Sequence, residues 1–167
     1  MVRSIISHSD DVPDTMNIRI KQIRLWRTEV VRRPGALAQA LEPLAQHGAD
    51  LKVVRVRDAG GGRGRRNVVE VYAGEGRRAA VVAQAAGFSL TKATTLLLQG
   101  ENRPGFAYAM ANAVAWAGIE VVDHEAGVVS NRFSSTLTFA TESDAKKAVA
   151  VIRKVIRTFQ AADSVGD

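Results

Sequence analysis

The chain has 167 residues, 46% of them apolar, with no cysteine and three histidines far apart in sequence, His8, His47 and His124. This composition suits a folded globular protein, excludes disulfides, thiolate catalysis and cysteine-ligated metal, and argues against a histidine-rich metal centre. The formal net charge of +6 sits wholly in the first half: residues 1–90 hold 15 Lys or Arg against 9 Asp or Glu, and residues 91–167 hold 8 of each.

Residues 1–15 are polar and acidic with no apolar core, so no signal peptide is expected there, and no apolar run approaches the length of a membrane span. A soluble, cytoplasmic protein is the expectation. From Ile18 to Val31 the chain is rich in β-branched and large apolar residues, but the alternation of Ile18/Ile20 slips out of phase with that of Ile23/Leu25. Either a bulge lies near Lys21-Gln22 or two short strands meet there. Pro34 suits the first turn of a helix, Leu37, Leu41 and Leu44 form a helical stripe, Pro43 interrupts it, and Gly48 is placed to stop it. Leu51–Val56 and Asn67–Ala73 then read as a hairpin around the Ala59–Arg66 loop. A helix from about Gly76 to Ala86, stopped by Gly87, and a strand from Phe88 onward complete β-α-β-β-α-β.

The second half repeats the plan. Thr95–Leu98 reads as a strand, and Phe106, Met110, Ala113, Val114 and Ala117 line a helix stopped by Gly118. Ile119–Glu125 is a strand, Ala126–Asn131 a turn, Phe133–Phe139 an alternating strand, and Ser143–Phe159 a long amphipathic helix. Little β propensity remains after Phe159, so the last strand of this copy is expected to be short or absent, with Ile18–Ile20 filling the vacant edge. The two halves coincide at a shift of 70 residues: Arg33-Pro34-Gly35 on Arg103-Pro104-Gly105, Ala45 on Ala115, Gly48 on Gly118. The expected organisation is a flexible arm at 1–16, one domain at 17–92, a second at 93–160 and a tail at 161–167. The fold class is α+β, two ferredoxin-like βαββαβ units side by side, with antiparallel sheets carrying helices on one face.

A strand ending in Asn-x-Pro-Gly (Asn102-Arg103-Pro104-Gly105) leads into a helix of about 13 residues that ends in Ala-Gly-Ile-x-Val (Ala117-Gly118-Ile119-Glu120-Val121). With the hairpin and helix that follow, this pattern resembles the ACT domain, and the resemblance covers roughly residues 20–160 as a tandem pair. It implies a regulatory module that binds a small ligand, usually an amino acid, where ACT domains meet. Carried over by position, the βα loop is Glu101, Asn102, Arg103, Gly105 and Phe106, and a facing strand offers Asp123 or His124. In the first copy Arg33 and Gly35 keep the pattern, but Arg32 stands where the family usually has Asp or Asn. A cation there would repel an ammonium, so the second copy is the better amino-acid site, and the first is either vestigial or takes an anion.

Glycines and a helix N-terminus at each loop bring backbone N–H groups and positive potential toward a carboxylate or phosphate. Asp123, His124 and Glu125 are adjacent, so alternation splits them between two faces and defeats a triad or metal cluster. Gly60–Gly64 lacks the context of a P-loop or dinucleotide fingerprint. No acid, base and nucleophile converge in the sequence, so no catalysis and no cofactor are expected. The competing reading is a nucleic-acid-binding ferredoxin-like protein using the basic Arg63–Arg66 loop. It suffers from scarce aromatics, since the strand that would stack bases offers only Tyr72. Trp26 and Trp116 read as core or interface anchors. A homodimer is expected, to cover the free face of an eight-stranded sheet, and any output passes through a regulated protein partner or a change of oligomeric state.

Overall fold

The computed structural model describes residues 17–60 and 65–163. The expected arm at 1–16, Arg63 with Gly61, Gly62 and Gly64 of the basic loop, and the last four residues lie outside them. The chain forms two four-stranded antiparallel sheets. In the first, β2 (Trp26–Val31), β3 (Val53–Asp58), β4 (Arg66–Tyr72) and β5 (Ser89–Leu90) stand in the order β3-β4-β2-β5, with α1 (Ala36–Gln46) and α2 (Arg77–Ala85). The second holds β1 (Ile18–Ile23), β6 (Thr94–Glu101), β7 (Asp123–Val129) and β8 (Arg132–Phe139) in the order β1-β6-β8-β7, with α3 (Phe106–Trp116) and α4 (Glu142–Asp163). Each is the split βαβ arrangement, so the architecture is a pair of α+β units.

The outer strand of the second sheet is supplied from upstream of the whole first unit. β1 pairs antiparallel with β6, Ile18 opposite Gly100 and Ile23 opposite Thr95. The expected filling of that edge is therefore observed, and the units interleave, although a division at 92–93 follows the chain. Gly100 makes the pairing possible: a Cβ there would lie 2.3 Å from the Asn17 carbonyl oxygen and 2.9 Å from the Ile18 Cα. The phase slip in Ile18–Val31 is two strands, and the break falls at Arg24-Leu25 rather than at Lys21-Gln22. Its cause is topological, because the chain leaves one sheet and enters the other at that point.

The repeat is exact in backbone geometry. Arg33-Pro34-Gly35-Ala36 and Arg103-Pro104-Gly105-Phe106 are tight turns closed by Ala36 N–H to Arg33 O and Phe106 N–H to Arg103 O, both 3.2 Å. Gly35 (φ 81°, ψ −10°) and Gly105 (φ 83°, ψ −13°) occupy the left-handed position that a type II turn requires, with proline just before it. Pro34 thus sets the turn and stands outside the helix, contrary to its expected place in the first helical turn. Both helices run 11 residues and stop at glycines with φ 69°, Gly48 and Gly118.

Each unit buries its core between helices and one sheet face. Trp26, Leu44, Val69, Val71, Ala83 and Phe88 form the first core; Leu41 flanks it, whereas Leu37 is exposed. The second is larger, thirteen buried residues that include Leu96, Leu98, Met110, Val114, Leu137, Phe139 and Ile152. Phe106 meets Phe133 and Phe159 edge-on, with ring centroids 5.5 Å apart in each pair. α4 starts on a Thr141 cap, Asp144 N–H donating to Thr141 Oγ1 (3.1 Å) and the Thr141 hydroxyl donating to the Asp144 carboxylate (2.7 Å). It continues to Asp163, through the start of the expected tail. The β7–β8 hairpin is tighter than the sequence suggested. β7 runs on to Val129, and only Ser130 (φ 47°) and Asn131 (φ 58°) make the turn, two left-handed residues matching the twist of a hairpin.

The sheets do not join into one of eight strands. Their helix-free faces meet instead, through an apolar patch of Ile23, Leu25, Tyr72 and Leu97 flanked by Val53. The expected uncovered face is therefore partly covered from within the same chain.

Candidate functional site: the βα loops and the seam between the units

In both units the residue before x-Pro-Gly is tied by its backbone to the hairpin turn of its own sheet: Arg32 N–H donates to Arg65 O (2.6 Å) and Asn102 N–H to Asn131 O (2.8 Å). The side chains differ. Arg32 donates to Asp58 at 2.7 Å, while Arg33 reaches the Gln39 side chain, so the cations of the first loop are engaged. Asn102 makes no side-chain hydrogen bond among the described residues. Beside it Arg103 and Glu101 pair at 3.6 Å, each half-buried. Gly105 offers no side-chain cap, and among the described residues the first turn of α3 leaves the N–H groups of Ala107 and Tyr108 without a backbone acceptor. Phe106 is 3% exposed, a core residue whose side chain is withdrawn from the loop.

Glu101, Asn102, Arg103 and Gly105 are thus brought together, and Arg33 and Gly35 form the equivalent turn in the first unit. Asp123 and His124 stand elsewhere. Glu101 is level with Arg132 and Val129, at the end of the sheet opposite Asp123, so Asp123 lies about 20 Å along the strand from the loop of its own unit. His124 points to the helix side of the sheet and shares a hydrogen bond of 3.0 Å with the buried Ser135 hydroxyl.

Asp123 belongs to a seam between the units. Arg55, its side chain 3% exposed, donates to Glu70 (2.9 Å), to Asp123 and to Thr136 Oγ1 (3.3 Å). Arg57 pairs with Asp123 at 2.7 Å and with Glu125 at 3.6 Å. Farther along, Lys21 of the second sheet meets Glu75 of the first unit at 3.2 Å and lies over the Tyr72 ring. The Tyr72 hydroxyl first, and then the Glu75 carboxylate, hold the Lys21 ammonium above its ordinary pKa. Desolvation makes Arg55 costly to strand without its carboxylates, so the seam locks one sheet against the other. Sequence reasoning passed over it. The available signal was Arg55 itself, followed by Arg57, in phase with the apolar Leu51 and Val53.

No protein-family model and no curated protein sequence matches the chain. The structure does have counterparts. It resembles protein BT0572 from Bacteroides thetaiotaomicron, with a TM-score of 0.61 at 11% identity over 85% of this chain and 90% of that one. It also resembles the ligand-free regulatory subunit of aspartate kinase from Thermus thermophilus (TM-score 0.56, 15% identity, 86% of this chain and 98% of that one). Escherichia coli aspartokinase III, in complex with lysine and aspartate, gives a TM-score of 0.53 at 10% identity, over 92% of this chain and 35% of that one. The fold is the ACT-type α+β domain, in tandem, as found in the regulatory portions of aspartate kinases.

Proposed function

We propose that this protein is a ligand-sensing regulatory module without catalysis of its own, and that an amino acid binds at the βα loop of the second unit. The observation that carries the proposal is the contrast between the loops. Asn102 keeps a free amide beside an uncapped helix N-terminus, where Arg32 of the first copy is held by Asp58. An amide that both donates and accepts, next to unclaimed backbone N–H groups, suits the ammonium and carboxylate of an amino acid. Arg33 and Gly35 take no part unless the first loop holds an anion. His124 and the rest of β7 enter only if a second copy brings that strand against the loop. Fold likeness supports the regulatory reading, and the aspartokinase III complex offers a precedent for amino acids as ligands. The protein acts in this reading as a cytoplasmic homodimer that signals to a protein partner. No helix among the described residues is long and apolar enough to cross a membrane.

The test is thermal unfolding against the twenty amino acids. A specific ligand at about 100 times its dissociation constant adds roughly 2.7 kcal/mol, a shift of several degrees. One amino acid is expected to raise the midpoint, and Asn102→Ala to remove the effect. A flat panel defeats the proposal, and light scattering at about 18 kDa, close to the chain mass of 17.9 kDa, defeats the dimer.

A further inference from the structure

A cleft of about 840 Å³ opens between the units on the loop side of the seam. Lys52–Arg55 of the first unit form one wall, and the helix-free face of the second sheet forms the floor. Its volume falls in the range of small-molecule sites. Across the floor Arg19, Gln99, Ser134 and Gly127 stand in one cross-strand row, and Arg132 follows in the next.

Two independent features mark this cleft. The first is charge. Arg55 is matched by Glu70 and Asp123, Lys52 by Asp50, Glu125 by Arg57, and Glu101, which stands opposite Arg132, by Arg103, but Arg19 and Arg132 have no ion-pair partner among the described residues. The second is Gly127, a glycine inside a strand. Its backbone is extended, and a Cβ there would meet nothing within 4 Å, so neither a turn nor packing calls for glycine. A strand glycine without such cause leaves room where a ligand can approach closely.

From these features we infer that the cleft binds a small dicarboxylate, with Arg19 and Arg132 each taking one carboxylate and Gln99 and Ser134 contacting the atoms between. Strands β1 and β8 flank β6, which puts the two arginine-bearing strands about 10 Å apart. Two long side chains rising from one sheet face, with Arg132 two residues farther along than Arg19, can reach the two ends of one short molecule, and a guanidinium fork matches a carboxylate bidentately. The ligand touches both units, so its binding is linked to how the sheets sit against one another. The cleft adjoins the Asn102 loop, since Glu101 lines it opposite Arg132, but its ligand contacts use neither Asn102 nor the start of α3, so the two sites are tested by different substitutions.

Isothermal titration of the full chain with succinate, L-aspartate and L-glutamate, against L-lysine and inorganic phosphate, tests the inference. At least one dicarboxylate is expected to bind, with affinity falling tenfold or more in Arg19→Ala and in Arg132→Ala. Gly127→Val fills the floor with a residue that strands favour; it is expected to abolish binding while the unliganded melting temperature stays level or rises. Absence of binding by all three dicarboxylates overturns the inference, as does binding that survives the arginine substitutions. Phosphate binding as tightly as the dicarboxylates overturns the ligand class. Binding lost in Asn102→Ala but kept in Gly127→Val moves the ligand to the loop, sinking the cleft and sparing the proposal above. If Gly127→Val fails to fold, the two exposed arginines decide the matter alone.

Discussion

The two units share a strand order, a helix length and a turn, yet they finish their sheets differently. In the first, β5 is two residues long and pairs with Trp26 and Arg27, so among the described residues most of that side of β2 has no strand beside it. In the second, β1 covers six consecutive residues of the equivalent strand. The residue aligned with Val30, which packs against the first core, is Gly100, which admits β1. The better-finished unit also has the larger core and the free amide at its loop. A duplicated fold can thus be unequal in structure: the second unit carries the uncommitted Asn102 side chain, and the first supplies the arginines that hold Asp123 at the seam.

Arg55→Met would break this relation most severely. It leaves Glu70, and in part Asp123, desolvated without a counter-charge, and the expected loss is about 3 kcal/mol. Urea unfolding should show it, with the transition splitting in two as the units uncouple. An unchanged midpoint would show that the seam does not couple them. Gly100→Ala comes next. The new methyl meets backbone atoms that cannot rotate away, so a loss of about 2 kcal/mol is expected, with amide exchange accelerating in β1 before the rest of the sheet. Protection of β1 equal to the wild type would mean that the edge tolerates a side chain. Smallest is Arg32→Asn, which gives the first loop the side chain of the second. It loses an exposed ion pair, worth at most about 1 kcal/mol, so the melting temperature should hardly move. If the Arg32 cation is what disables the first loop, titration of this variant with the amino acid that binds the second unit should reveal an additional site.

Much of this was legible in the residues. Type II turns need proline and glycine at fixed places, and helices need stops, so Arg33-Pro34-Gly35 and Arg103-Pro104-Gly105 announced the duplication directly. The candidate loop was legible for the same reason, because its position depends on local backbone chemistry. The β7–β8 turn is shorter than the expected Ala126–Asn131, because Ser130-Asn131 is a weaker signal than a glycine turn and the strand runs on through Gly127 to Val129. The family resemblance offers Asp123 or His124 on a strand facing the loop; the partners of Asp123, Arg55 and Arg57, lie more than 60 residues upstream, and no local pattern links them.

By itself, the sequence determined the two βαββαβ units, their matching turns and helix stops, and the vacancy at the last strand of the second copy. These follow from φ preferences and from the alternation of apolar residues, which act within a few positions along the chain. Only the tertiary structure decided that the helix-free faces meet, that Arg55 bridges them, and that a cleft lined by Arg19 and Arg132 opens beside the seam. Those outcomes depend on which charged side chains lose water together, and desolvation is a property of neighbours in space rather than in sequence.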